Sequence, residues 1–359
     1  MSGSITRRMI SAYFQEAEPT RFLSGFFRTP AENFHTSEEV EIDIQREEEH
    51  VATVITDLST GGNVNSFDGY TNKSFRPPIF KEEGTLNGFD LIKREAGDDP
   101  FVDPNFQANA STRAFRVFRQ LEKKVRRAVE LMASQVLQTG MLTLFDQSGN
   151  TAYQLNFQPK STHFPTVTTG WGASGSTKLA DIDSLANVIR ADGLSDPNVL
   201  IFGERAFSRF IADSDVQALL DNRRIGTGEI RPERRGEGAT FQGFIWINNY
   251  RYEMWTYTGR YRHPSTGVST KFLDDDNVIV MADNARMDLT FGAIPLIGDG
   301  RSRVLTALPN RMFSTENGFG MTTNSWAAPD GTSLQVMAGA RPLTIPTAID
   351  RYGTLDTQP

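Results

Sequence analysis

The chain has 359 residues, and 38% of them are apolar, which is enough for the cores of two ordinary domains. It contains no cysteine, which excludes disulfides and thiolate metal sites, and its net charge of −7 argues against a dedicated nucleic-acid binder. No stretch approaches the roughly 18 consecutive apolar residues of a membrane span, and the first residues lack the apolar core of a signal peptide. We therefore expect no contact with a membrane.

Residues 1–50 are predicted to form an N-terminal arm, because they contain too few apolar residues for a core of their own. A short amphipathic segment surrounds Met9–Phe14. An aromatic cluster follows it, too far in sequence from other apolar residues to be buried locally, so we expect these side chains to need a partner surface. The cluster consists of Phe22, Phe26, Phe27 and Phe34.

A long β-hairpin is predicted after the arm. Val40–Ile44, within the arm, alternates apolar and acidic residues as a strand does. The hairpin itself begins with Val51–Ile55, a β-branched run that leads into a turn rich in glycine and asparagine. The polar return ends near Phe80. An isolated hairpin is marginal in water, so this one either packs on another surface or is mobile. Acids dominate the stretch before it, and we name as the acidic segment Glu38, Glu39, Glu41, Glu47, Glu48 and Glu49.

The strongest helical pattern runs from Asn109 to Gly140, with Asn109 or Ser111 as the expected N-cap and Gly140 just beyond the end. At about 100° per residue, one arc of this helix is apolar and most of the opposite arc is basic. The apolar arc holds Phe118, Leu121, Val125, Ala128, Val129, Met132 and Val136. The opposite arc, which we name the basic face, holds Arg113, Arg116, Arg119, Lys123, Lys124, Arg126 and Arg127.

Only Glu122 and Glu130 of the same helix are available to pair with these seven cations. The basic face is therefore expected to contact either protein carboxylates or nucleic acid. In the first case the acidic segment, of the same or an adjacent chain, is the leading candidate. The sequence leaves both alternatives open.

Strands and helices alternate around and after this helix. Thr85–Lys93 is predicted to be a strand, and Thr143–Phe157 a hairpin that turns at Asp146–Asn150. An α/β unit follows, with helices over Ile182–Ala191, Arg205–Ala212 and Val216–Leu220 and strands over Asn198–Phe202, Phe241–Ile247, Tyr252–Tyr257 and Asn277–Ala282. From Arg286 onward the pattern predicts strands and turns.

Arginine recurs in one segment of this unit, at Arg223, Arg224, Arg231, Arg234 and Arg235. Such a segment could bind phosphate. Because it also contains Glu229, Glu233 and Glu237, we expect a mobile polar loop that pairs with itself or with a neighbour.

No motif in the chain predicts an enzyme. The histidines, His35, His50, His163 and His263, are far apart, and we expect no metal site. Asp274–Asp276 lacks the alternation and the glycine of a calcium loop, so a charged turn is favoured. Gly172-Ala-Ser-Gly-Ser does not match a nucleophile elbow, and no Gly-Lys-Ser or Gly-Lys-Thr phosphate loop occurs. We expect no cofactor.

Four stretches follow one another with the order and gaps of a known family. They are Arg76-Pro-Pro-Ile-Phe-Lys through Asp98-Asp-Pro-Phe-Val-Asp-Pro104, Glu130-Leu-Met-Ala-Ser-Gln-Val-Leu-Gln-Thr-Gly140, Val199-Leu-Ile-Phe-Gly through Leu220-Asp-Asn-Arg-Arg224, and Phe272-Leu-Asp-Asp-Asp-Asn-Val-Ile-Val-Met281. The chain resembles the major capsid proteins of tailed phages, and among them the lambda-type coat protein E family. The similarity spans roughly residues 20–295. The extra acid in Asp274–Asp276 departs from the family's single proline-aspartate turn.

The resemblance implies an α+β chain with the Hong Kong 97-like phage capsid fold. Such a fold has an N-terminal arm, an extended β-hairpin loop, a peripheral domain with a long spine helix, and an α/β axial domain. The implied boundaries are 1–50 for the arm, 51–83 for the extended loop, 84–180 for the peripheral domain with the spine helix over 109–140, 181–285 for the axial domain, and 286–359 for return strands of the peripheral domain.

The resemblance also implies a function: the major capsid protein of a tailed double-stranded DNA phage or prophage, self-assembling into pentamers and hexamers of an icosahedral shell. Implied partners are other copies of the chain, a portal, a scaffold, a decoration protein, and packaged DNA bound non-specifically. The implied location is the virion, after assembly in the host bacterial cytoplasm. Two alternatives stay open, an encapsulin-type bacterial nanocompartment and, from another class, an enzyme of unknown chemistry.

Overall fold

The computed structural model describes residues 22–35, 39–44, 71–88, 106–146, 148–220, 228–234, 238–294, 320–327 and 332–359. The α-helices are α1 (Phe106–Thr139), α2 (Lys178–Gly193), α3 (Glu204–Ile211) and α4 (Ser214–Leu220). Between residues 141 and 281, the helices and strands predicted from the sequence are confirmed to within four residues at each end, with one exception described below.

The strands run through the whole described chain. They are β1 (Val40–Ile44), β2 (Thr71–Phe75), β3 (Phe80–Asn87), β4 (Met141–Phe145), β5 (Thr151–Asn156), β6 (Val199–Phe202), β7 (Gly228–Arg234), β8 (Ala239–Ile247), β9 (Tyr250–Tyr257), β10 (Arg260–Arg262), β11 (Ser269–Lys271), β12 (Asn277–Met281), β13 (Met287–Phe291), β14 (Thr322–Ala327), β15 (Ser333–Ala340), β16 (Pro342–Pro346) and β17 (Tyr352–Asp356).

A six-stranded sheet, in the order β17-β12-β6-β9-β8-β7, forms the centre of the molecule. β6 and β9 are parallel, and the other neighbouring pairs are antiparallel. Because side chains alternate along a strand, Val199 and Ile201 of β6 enter one core while Leu200 and Phe202 enter the other. All four are buried, so the sheet is covered on both faces.

Helices supply the cover on each face of this sheet. Ile182 of α2, Phe210 of α3 and Val216 of α4 share a core with Leu200. On the opposite face, Val136 of α1 shares a core with Ile201. The centre of the molecule is therefore a helix–sheet–helix sandwich in which α1 lies alone on its face among the described α-helices.

The long helix α1 confirms the predicted apolar arc. Six of the seven predicted side chains are at most 4% exposed, and only Ala128 is half-buried. Gly140 takes a left-handed φ of 63° and donates its N–H to the carbonyl of Val136 at 2.8 Å, which ends the helix as predicted. The expected N-cap at Asn109 or Ser111 is wrong, because both residues lie inside the helix, where each costs less than about 1 kcal/mol. None of the described helices combines the length and apolarity needed to cross a membrane.

A three-stranded sheet, β14-β15-β3, packs on the first half of α1. Leu86 of β3 and Val336 of β15 share an apolar cluster with Phe118. The backbone of Gly84 in β3 lies so close to α1 that a Cβ atom there would be 2.5 Å from the side chain of Val117. The expected strand Thr85–Lys93 is shifted towards the N-terminus because β3 pairs along the whole of β15; residues 89–93 lie outside the described chain.

Most of the predicted hairpin, which joins Val51–Ile55 to a return ending near Phe80, lies outside the described residues. β1 and β2 pair antiparallel, Val40 with Phe75 and Ile44 with Thr71, whereas residues 45–70, which include Val51–Ile55, lie outside the described residues. The β1–β2 ladder begins at Val40, and Phe80–Asn87 pairs within the sheet on α1. The boundaries 51–83 of the extended loop stay a prediction.

The C-terminal strand joins the central sheet. β17 pairs antiparallel with β12 and so completes the six-stranded sheet. β13 and β16 pair with each other and contribute Leu289 and Leu343 to the core beneath α1. Local pattern identifies a strand but not the sheet edge that it joins, so the place of β17 could not be predicted.

The arginine-rich segment is the exception noted above. Arg231 and Arg234 lie in β7, an edge strand paired with β8, and not in a loop; Arg223, Arg224 and Arg235 lie outside the described residues. Pro232 stands where the β7–β8 register shifts, between Ile230 and Glu233. Proline is tolerated at such irregular edge positions because it lacks the N–H that a ladder needs.

Candidate functional site

The described residues hold no cluster that suggests catalysis. No three His, Cys, Asp or Glu side chains among them are placed to bind a metal ion. His163 is buried, with Nδ1 2.8 Å from the carbonyl oxygen of Tyr352 and Nε2 3.1 Å from a carboxylate oxygen of Asp192. It joins α2 to β17 and has a structural role. Candidate functional features are therefore faces and segments.

The basic face lies on the side of α1 away from its buried arc. Arg116, Arg119, Lys123 and Lys124 are exposed, while Arg113, Arg126 and Arg127 are half-buried. The helix forms because its apolar residues recur at the helical period, and this same period places the cations together. Four of the seven cations are thus exposed on one helix.

Lys124 and Arg126 of the basic face form ion pairs with carboxylates of their own chain. Lys124 Nζ lies 2.8 Å from Glu82 of β3, with both side chains substantially exposed. A pair of this kind contributes only about 0–1 kcal/mol. Arg126 lies 2.5 Å from Glu122 one turn earlier on α1, and this pair is largely buried.

The described part of the acidic segment is Glu39 and Glu41, just before and in β1. Glu39 pairs with Arg76 at 2.8 Å, and Glu41 lies in β1 opposite Ser74. Glu38, Glu47, Glu48 and Glu49 fall outside the described residues. Pairing of the acidic segment with the basic face of an adjacent chain stays a prediction.

The aromatic cluster packs on its own chain, which corrects the expectation that it needs another surface. Phe22 contacts Trp255 and Tyr257 of β9 at ring-centroid distances of 5.1 and 5.6 Å. Phe34 stacks on Phe291 of β13 at 5.2 Å. Phe27 is buried in the core beneath α1, and Phe26 packs against the same core. The partners are more than 200 residues away in sequence, so local reasoning could not supply them.

Glu130 joins the arm, α1 and β9 at a single point. It is fully buried, and it is not available to the basic face as the sequence suggested. Its Oε1 accepts the N–H of Leu23 at 2.9 Å and the hydroxyl of Tyr257 at 2.6 Å. Its Oε2 accepts the N–H of Ser24 at 2.9 Å. These N–H groups open a short 3-10 helix, Leu23–Phe26, and have no partner inside it.

The end of α1 is joined by hydrogen bonds to the residues just before β12, where Asp274–Asp276 form what we name the acidic turn. Gln138 donates to the carbonyl of Phe272 at 2.9 Å, and its side-chain oxygen accepts the N–H of Asp274 and the amide of Asn277, both at 3.0 Å. Two of the four stretches that carry the family resemblance therefore touch. The sequence did not predict these contacts of Glu130 and Gln138, although Glu130, Ser134 and Leu137 share one flank of the buried arc.

The acidic turn is a charged turn, as the sequence predicted, and it is neutralised by basic side chains. Asp276 lies 3.0 Å from Arg205 and 3.1 Å from Arg209 of α3, and Lys271 binds Asp275 and Glu204. Burial raises the pKa of Asp276, and the two arginines act against that rise. The turn fixes β12 to α3.

Comparisons with known proteins identify the family. The sequence matches the family model described as phage major capsid protein E over residues 6–352. A search of curated proteins gave no match. Among solved structures, the chain is similar to a prophage capsid protein from E. coli CFT073, with a TM-score of 0.64 and 15% identity over 97% of this chain and 98% of that one.

A second solved structure, a phage-related protein from Bordetella bronchiseptica RB50, matches with a TM-score of 0.51 and 10% identity over 98% of this chain and 96% of that chain. The expected α+β, Hong Kong 97-like phage capsid fold is thereby confirmed. The chain belongs to the phage major capsid protein E family: it is a structural protein that assembles with copies of itself into the capsid shell of a virion, and it is not an enzyme.

Proposed function

We propose that this chain forms the pentamers and hexamers of an icosahedral head that encloses the double-stranded DNA of a tailed phage or prophage. The observation that carries the proposal is the match to the capsid family over residues 6–352, on a fold shared with a prophage capsid protein. An encapsulin-type compartment is less well supported, because the family matched is that of phage capsids.

The parts of the fold have roles in this proposal. The six-stranded sheet with α2, α3 and α4 is the axial domain, and α1 with the sheet β14-β15-β3 is the peripheral domain. The extended loop is proposed over residues 51–83, whose described part contains β2 and the start of β3. The affinity of a protein for DNA increases with the number of phosphates that its basic side chains neutralise. A net charge of −7 therefore suits a shell that must not bind its DNA tightly.

The proposed partners are a portal, a scaffold and a decoration protein, besides packaged DNA, with assembly in the bacterial cytoplasm. Expressing the chain with and without its neighbouring head genes, followed by cryo-electron microscopy, tests these roles. We expect rings of five and six subunits and, with the neighbouring genes, closed shells with a portal at one vertex. A monomer whose mass does not depend on concentration would contradict the proposal. Uniform closed shells that never incorporate a portal would favour the encapsulin alternative.

A further inference from the structure

We propose that Glu130 is a latch that holds residues 22–34 on the body of their own subunit throughout shell assembly. Any part of the arm that reaches a neighbouring subunit then begins upstream of Phe22. This inference rests on the proposed function for its setting. It goes further by naming which part of the arm is not exchanged and which side chain decides it.

The latch is specific because its donors and acceptors are matched and shielded from water. Glu130 takes two N–H groups that the 3-10 helix cannot satisfy itself, and it takes the hydroxyl of Tyr257 as well. No cation of the described residues lies within ion-pair distance of Glu130. Release of the arm would therefore leave a buried carboxylate with one remaining donor, which is strongly unfavourable.

Backbone hydrogen bonds to β13 hold the part of the segment that follows Ser24. Arg28 donates its N–H to the carbonyl of Met287 and accepts the N–H of Leu289, both at 2.8 Å. His35 donates its N–H to the carbonyl of Phe291 at 2.9 Å. The segment from Leu23 to His35 is thus bound to α1 at its start and to β13 along its length.

Chain length favours docking on the same subunit. Only residues 36–38 separate His35 from Glu39, at the start of the β1–β2 ladder. The chain between those two residues spans at most roughly 15 Å, at about 3.8 Å for each Cα–Cα step. Exchange of residues 22–34 with a neighbour would have to move β1 as well, and Val40 of β1 is fully buried.

Trypsin cleavage of the Arg28–Thr29 bond measures release of the segment. The Arg28 side chain is exposed, but its backbone is paired with β13, so cleavage requires local detachment. We expect Glu130→Gln to speed this cleavage at least tenfold, because an amide cannot accept the N–H of Ser24 in place of the second oxygen. Glu82→Gln removes an exposed carboxylate paired with Lys124 and is the matched control, expected to leave the rate unchanged.

A milder variant keeps the test decisive if Glu130→Gln does not fold. Tyr257→Phe removes one donor from the latch and leaves the ring that contacts Phe22. We expect cleavage two- to fivefold faster than in the unaltered chain. Equal rates in the unaltered chain and in the folded variants would overturn the role of Glu130.

Cross-linking distinguishes docking within a subunit from exchange between subunits. The chain has no native cysteine, so Phe22→Cys with Trp255→Cys places two thiols at a contact where the rings are 5.1 Å apart. A short bis-maleimide applied to assembled shells should give products of one-subunit mass in a denaturing gel. A ladder of multiples would overturn the proposal. If the cysteine variant does not assemble, trypsin cleavage of the unaltered chain provides the test. We expect the Arg28–Thr29 bond to be equally protected in free subunits and in shells. Protection in shells alone would contradict the proposal.

Discussion

Gly203 sets the distance between the end of β6 and the acidic turn. A Cβ atom at this position would lie 2.1 Å from the carbonyl oxygen of Asp274 and 2.6 Å from that of Asp275. Its φ of −67° is accessible to any residue, so the position requires space and not an unusual conformation. The glycine belongs to one of the four stretches that carry the family resemblance, and the acids belong to another.

Gly203→Ala should therefore destabilise the subunit by about 1–3 kcal/mol, because two backbone segments must separate to admit the methyl group. Denaturant unfolding of the soluble subunit measures the change. Gly25→Ala is the matched control, since a Cβ atom there meets nothing within 4 Å, and its effect should stay within about 0.5 kcal/mol. A Gly203→Ala subunit as stable as the unaltered one would refute the close approach.

The ion pair between Asp213 and the buried Lys178 makes the stability of the subunit depend on pH. Lys178 is buried, and its Nζ lies 2.5 Å from a carboxylate oxygen of Asp213. Burial acts to raise the pKa of Asp213, but the hydrogen bonds from Lys178 and from the N–H of Asp215 outweigh it and hold that pKa below its ordinary value of 3.8. A lowered carboxyl pKa means that the stabilisation is present above the unfolded value and is lost as pH falls through the folded one.

We expect Asp213→Asn to lower stability at pH 7 by about 1–3 kcal/mol, because Lys178 loses its charged partner. The same variant should lose less stability than the unaltered chain between pH 4 and pH 2. Thermal unfolding recorded across that range checks both effects. Asp283→Asn, at an exposed position, is the matched control and should change stability at pH 7 by less than about 0.5 kcal/mol. A pH profile for Asp213→Asn parallel to that of the unaltered chain would contradict the coupling.

At the level of elements, α1 is the part that the sequence predicted best. Its apolar arc is buried and four of its cations are exposed, because apolar and basic residues recur on opposite arcs at the helical period. The pairing of Lys124 with Glu82 of β3 could not be predicted from that period. Ion pairs depend on which elements meet, and periodicity does not specify that.

Reversal of charge at two exposed positions tests whether neighbouring carboxylates or DNA contact the basic face. If carboxylates of an adjacent chain are the partners, Arg116→Glu with Lys123→Glu should block assembly of a folded subunit by replacing attraction with repulsion. Glu47→Lys with Glu48→Lys should then partly restore shells. Electron microscopy of empty shells is the measurement.

The matched control carries the same change of charge on two strands, Lys81→Glu with Arg262→Glu, at positions that are also exposed. We expect it to assemble. Intact empty shells from the Arg116→Glu, Lys123→Glu variant, with only packaging impaired, would instead identify DNA as the partner.

At the level of the whole molecule, the extended loop is expected to act between subunits. Deletion of residues 61–70 should leave a soluble subunit with unchanged thermal unfolding, because the β1–β2 ladder and both cores lie outside the deleted part. That subunit should fail to form closed shells, since a hairpin of this composition is stable only on another surface. Electron microscopy and calorimetry are the two measurements.

Replacement of the same residues by a Gly-Ser segment of equal length separates the need for the loop's side chains from the need for its length. We expect this replacement to fail in assembly as the deletion does. Normal shells from the deleted chain would show that the loop is dispensable.

The sequence by itself determined the helices and strands whose periodicity is strong, the apolar arc of α1, the hairpin β4–β5, and, through four short stretches, the capsid family. Each depends on residues near one another in the chain or on motifs in order. Tertiary structure alone decided that the aromatic cluster packs on β9 and β13, that β17 completes the central sheet, and that Glu130 binds the arm. Glu130 is 107 residues from Leu23 and 127 from Tyr257. Contacts at such separations arise from the packing of whole elements, which local pattern does not encode.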